Sequence, residues 1–143
     1  MYDFLLFVHV LFAFGLVAAI TVFWALTLAT RPQRMSLPPA GAMILGRSAG
    51  ILVGISSLGV LVFGVWLAIY LDAYHPWDGW VLGSIVFWAI GTGLGQRSGR
   101  LFERAASAGA DGVALRRTAL QLQVAATAAI TLVLVLMIFK PGA

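Results

Sequence analysis

His9 is the residue in this chain best suited to do chemistry. It sits inside a long apolar run, Phe4 to about Ala29, about one and a half helical turns from its start. An ionisable side chain inside a membrane-spanning stretch marks a functional site by default. An imidazole there could ligate haem iron, hold copper, or exchange a proton with a quinone. The plainer alternative is a neutral histidine hydrogen-bonded to a backbone carbonyl or to water. The ionisable groups expected on the same side of the membrane as His9 include those of one turn, between Tyr70 and Trp80, which carries Asp72, His75 and Asp78. Asp72 and His75 are three residues apart, close enough in sequence to share one metal with His9. His9 and His75 are therefore the candidate cofactor residues, and His9, Asp72 and His75 the candidate metal ligands.

Several chemistries are absent at the level of sequence. The chain has no cysteine, so it holds no disulfide, no thiolate metal site and no haem attached through a cysteine pair. Paired axial histidines inside a helical bundle would need a second histidine at membrane depth, and the only other one is His75. The glycines lack the strand–turn–helix context and the lysine of a phosphate-binding loop. No serine–histidine–acid arrangement is readable. No charged residue stands in mid-span, as a transporter midplane would require.

The elements that must position His9 are set by composition. Of 143 residues, 62% are hydrophobic and 10% are charged, with a mean hydropathy of +1.01. A soluble domain usually carries about 25% charged residues. The pattern predicts an all-α, polytopic membrane protein, a single domain over residues 1–143. Four transmembrane helices are expected, at about 4–29, 48–71, 79–97 and 118–139, in an up-down bundle. The first stretch spans roughly 38 Å, enough for a hydrocarbon core of about 30 Å. It has no basic leader and is long for a cleaved signal core, so it reads as a retained span. Its threonines, Thr21 and Thr27, can return their hydroxyls to the preceding turn. Residues 39–47 either begin the second helix or lie along the interface.

Orientation follows from the basic residues. Arg31, Arg34 and Arg47 lie in the first connection, and Arg97, Arg100, Arg104, Arg116 and Arg117 in the third. The central turn has none. The positive-inside rule then places connections one and three in the cytoplasm and both termini outside. Lys140 is the one exception. Arg31, Arg34, Arg97, Arg100, Arg104, Arg116 and Arg117 are expected at anionic inner-leaflet headgroups, which account for the net charge of +4 without nucleic acid. Tyr70, Tyr74, Trp77 and Trp80 form half of an aromatic belt at the outer interface.

Small residues mark where helices can approach. Gly50 and Gly54 make one four-residue step, and Gly91, Gly95 and Gly99 make two. In lipid such residues allow close backbone contact. Their partner helix lies in this chain, in a second copy or in another membrane protein.

The opening Phe4-Leu5-Leu6-Phe7-Val8-His9-Val10-Leu11, the basic first connection, the span opening near Trp80 and the chain length together resemble a bacterial family of predicted four-helix integral membrane proteins of unknown function. The early histidine is also similar, more distantly, to that of the copper-resistance membrane domain and of the haem-dependent protoporphyrinogen oxidase family. Of those families' functional residues, His9 is the one matched. Their tryptophan–glycine element is replaced here by Ala13-Phe14-Gly15-Leu16-Val17-Ala18. The leading expectation is an accessory, structural or assembly subunit of a larger complex in the bacterial cytoplasmic (inner) membrane. The alternative is a redox protein binding haem, copper or quinone near the outer leaflet through His9.

Overall fold

The structure is a computed structural model. It describes residues 1–29, 39–70, 75, 77–108 and 112–140, and the statements below concern those residues. Arg31, Arg34, Asp72, Tyr74 and Pro76 lie outside them. The described chain contains four α-helices: α1 (Tyr2–Ala29), α2 (Pro39–Tyr70), α3 (Gly79–Ser107) and α4 (Gly112–Phe139). They form two compact units, residues 1–73 with α1 and α2, and residues 74–143 with α3 and α4.

Three helical segments are long and apolar enough to cross a membrane: Tyr2–Leu28, Ile44–Tyr70 and Gly112–Phe139. The sequence reading expects four. The difference lies in α3, whose apolar stretch is diluted by Gly79, Gly83, Gly91, Gly93 and Gly95 before Gln96 and Arg97 end it. The helices otherwise run past the expected span boundaries, at the start of α2, the end of α3 and the start of α4. Helix α2 begins at Pro39, so residues 39–47 continue the second helix. Proline is tolerated in a first helical turn, where its missing N–H has no acceptor to lose. Helix α3 carries Arg97, Arg100 and Arg104 as a helical extension to Ser107.

Each unit is an antiparallel hairpin. In the first, Leu5, Leu16 and Ala19 of α1 and Ala49, Ser56, Ser57 and Val60 of α2 are buried. The seam is close. A Cβ added at Gly15 would lie 2.5 Å from Ser56 Oγ, and one at Gly59 would overlap the Phe12 ring. The Phe12 and Phe63 rings stack at 5.7 Å, and Phe63 continues to Trp66 at 6.3 Å. Thr21 and Thr27 donate to the Val17 and Phe23 carbonyls of their own helix at 2.8 and 2.7 Å. Their hydroxyls are thereby satisfied without a partner helix.

In the second unit, a Cβ at Gly91 would lie 2.9 Å from Ile130 Cδ1 and 3.3 Å from the Ala126 carbonyl oxygen. Ser98 crosses the seam, donating to the Ala119 carbonyl at 2.8 Å. A Cβ added at Gly112, where α4 begins, would lie 2.5 Å from the Ala105 carbonyl oxygen. At the other end the Lys140 ammonium stands 5.8 Å from the centre of the Trp80 ring, a cation–π distance.

Candidate functional site

The site is built up from His9. It lies on the α1 stripe that includes Leu5, Phe12 and Leu16, so helical spacing turns it toward α2. Its imidazole faces the backbone of Val60. Val60 is buried, and Gly59 beside it has no side chain, which lets the Phe12 ring approach the α2 backbone. Nδ1 of His9 is enclosed and has no hydrogen-bond partner among the described residues. An enclosed nitrogen acceptor or donor without a partner is costly in an apolar seam. This is the feature that sets His9 apart from a fully satisfied core histidine.

The expected ligand set can be placed only in part. Asp72 lies outside the described residues. His75 belongs to the second unit and is exposed. Its backbone N–H donates to Asp78 Oδ2 at 3.0 Å, and the Asp78 N–H donates back to the His75 carbonyl at 2.9 Å. Asp78 therefore organises the entry into α3. It stands at the helix N-cap position in extended geometry, and its carbonyl accepts from Val81 and Leu82. Proximity to Gly79-Trp80 was the signal in the sequence that could have identified it as a cap. Among the described residues, no three His, Asp or Glu side chains come together. Those residues thus bring no three-ligand metal site together around His9.

The glycines divide by geometry. Gly91 is in close contact with α4, and a Cβ at Gly95 would make ordinary contact, 3.9 Å from Ala126 Cβ. At Gly99 a Cβ would meet nothing within 4 Å. Four residues advance a helix by about 40° more than one turn, so two steps rotate Gly99 about 80° away from Gly91. Ser98 is seven residues from Gly91 and returns to within about 20° of it, which puts its hydroxyl on the seam. Gly50 and Gly54 also face open space, because the α2 seam runs through Ala49 and Ser56.

The basic residues lie at one end of the second unit. Arg97, Arg100 and Arg104 are exposed on α3, and Arg117 is exposed at the start of α4. Arg116 is half-buried. Of the aromatic belt, Trp77 and Tyr70 are exposed while Trp80 is buried under Lys140. In comparisons with known proteins, no family model, no curated protein and no solved structure matches this chain. The chain is a small multi-pass membrane protein of helical hairpins.

Proposed function

We propose that this chain is an accessory, structural or assembly subunit of a larger complex in the bacterial cytoplasmic (inner) membrane. The observation that carries the reading is the open glycine face of α2. Gly50 and Gly54 present bare backbone where a Cβ would meet nothing, next to the exposed apolar side chains of Ile51, Ile55 and Leu58. A surface of small residues amid bulky ones suits close approach by another transmembrane helix. That helix belongs to the partner complex, to a second copy or to the other unit of this chain.

In this reading the chain is one four-span domain with both termini outside. Helix α3 is the fourth span. It is glycine-rich, but it is packed along α4 from Gly83 opposite Leu136 to Ser98 opposite Ala119. A helix held against a spanning partner needs less apolar surface of its own, since part of it never meets lipid. The basic connections sit at the inner leaflet, and Trp77, Tyr70 and Tyr74 at the outer interface.

The test is native electrophoresis of mildly solubilised membranes. The chain should migrate well above its own 15.2 kDa, and Gly50→Leu/Gly54→Leu should release it as a smaller species. Migration unchanged by that pair would remove the α2 face from the account.

A second reading is favoured by the enclosed Nδ1 of His9. The chain would then be a redox protein, with His9 donating to a quinone carbonyl oxygen, or accepting from a quinol hydroxyl, near the outer leaflet. Copper would take Asp72 and His75 as further ligands, and haem would take His75, a methionine such as Met137, or stay five-coordinate on His9. Extraction of the purified protein for quinone, with His9→Ala as control, separates this reading from the first.

A further inference from the structure

The cytoplasmic end of α3 carries more than diffuse positive charge. An open cavity of about 310 Å³ lies against it, lined by Gly93, Gln96, Arg97, Arg100, Leu101 and Arg104. At about 100° per residue the three arginines fall within about 60° of one another around the helix. Successive arginines stand about one turn apart, so their guanidiniums can converge on one anion. Among the described residues, none of the three has an ion-pair partner. Gly93 keeps the inner end of the cavity open, because a Cβ there would meet nothing within 4 Å. Leu101 supplies an apolar wall, and Gln96 adds amide donors where the apolar part of the helix gives way to the charged part.

We propose that this cavity is a discrete binding site for a phosphate group presented at the inner membrane surface, the headgroup of an anionic phospholipid. Three features point to that ligand. Guanidinium groups match phosphate oxygens in paired hydrogen bonds, which a lysine cannot do. The lining is mixed, with three arginines beside Leu101 and with Gly93 at the end toward the apolar part of the helix, so it suits a charged head followed by an apolar body. It also lies where α3 changes from apolar to basic, which is headgroup depth for a helix that continues into the bilayer. The proposal rests on the orientation proposed above, with α3 crossing and its basic end at the inner leaflet, and not on the accessory-subunit role, since a site of this kind can hold the chain alone or in a complex.

The test uses the full-length protein in phosphatidylcholine nanodiscs carrying a minority of phosphatidylglycerol, with bound lipid counted by native mass spectrometry. Arg97→Gln/Arg100→Gln should weaken retention of phosphatidylglycerol about tenfold. Arg116→Gln/Arg117→Gln removes the same charge from the same end of the unit and should change it less than about twofold. Gly93→Leu should weaken retention without altering charge. Equal losses from the two arginine pairs would overturn the site in favour of general attraction, as would phosphatidylglycerol retained no better than phosphatidylcholine. Circular dichroism of each variant checks that the helices remain. Inorganic phosphate is added in a parallel arm. Displacement of the lipid by millimolar phosphate would overturn the lipid assignment and give the site to the free anion. No displacement supports the lipid.

Discussion

Ser98 of α3 donates its hydroxyl to the Ala119 carbonyl of α4 at 2.8 Å, and both residues are fully buried. Most other serine and threonine hydroxyls described here turn back to their own helix, as Ser84 does to the Trp80 carbonyl at 2.7 Å. Ser98 instead ties two helices together. A hydrogen bond between helices in a membrane is worth on the order of 1 kcal/mol, because the separated helices can also find partners.

Replacing Ser98 with alanine should therefore lower the stability of the protein by about 0.5–1.5 kcal/mol. Unfolding by sodium dodecyl sulfate, followed by tryptophan fluorescence, would measure it. Ser84→Ala should cost clearly less, since it loses a bond within its own helix. Equal losses for the two would mean that the Ser98 bond adds nothing across the seam.

The hairpin seams should separate glycines that are close to a neighbour from those that are not. Gly91→Ala forces a Cβ against Ile130 and Ala126, and Gly59→Ala forces one into the Phe12 ring. Overpacking of this kind costs about 1–3 kcal/mol. Gly99→Ala and Gly54→Ala meet open space and should be neutral or stabilising by up to about 1 kcal/mol, because alanine suits a helix better. Thermal unfolding of the four variants in one detergent compares them directly. A destabilised Gly99→Ala would place a neighbour against that face.

Topology gives a third prediction. The chain has no cysteine, so single cysteines report without background. Trp77 and Val113 are 82% and 77% exposed, one before α3 and one at the start of α4. In intact cells a membrane-impermeant maleimide should label Trp77→Cys, and Val113→Cys only after the membrane is opened. The reverse pattern would invert the orientation, and labelling of both from outside would mean that α3 does not cross.

Much of this fold is legible in the sequence because lipid leaves few choices. Apolar runs longer than about 20 residues must satisfy their backbone internally, so they are helices. The returned hydroxyls of Thr21 and Thr27 and the arginine-bearing extension of α3 follow from local rules, whereas propensity alone does not choose between helix and interface for residues 39–47. The seam is less legible. A four-residue glycine repeat marks small residues but drifts around the helix, so Gly91 and Gly95 reach α4 while Gly99 turns away and Ser98 takes its place. The Asp78 exchange with His75 was also hidden, since those residues read equally well as metal ligands or as a turn. His9 was legible as an exception to its surroundings, and its contact with the Val60 backbone needed the partner helix to be placed.

His9 also yields a packing prediction. Its nitrogen is enclosed in the α1–α2 seam without a partner among the described residues. His9→Leu should stabilise the hairpin or leave it unchanged within about 1 kcal/mol, since it removes a buried polar group at similar volume. Detergent unfolding of the variant beside the native chain measures this. A loss of more than about 2 kcal/mol would show that the imidazole is held by a bond that leucine cannot replace.

The most direct test of the accessory-subunit reading is the visible absorption spectrum of the detergent-purified protein, recorded with metal analysis on the same sample and on His9→Ala. A non-redox subunit gives no Soret band and no stoichiometric copper, and His9→Ala is indistinguishable from the native chain. A Soret band, or about one copper per chain, that disappears in His9→Ala would contradict that reading and make His9 a ligand.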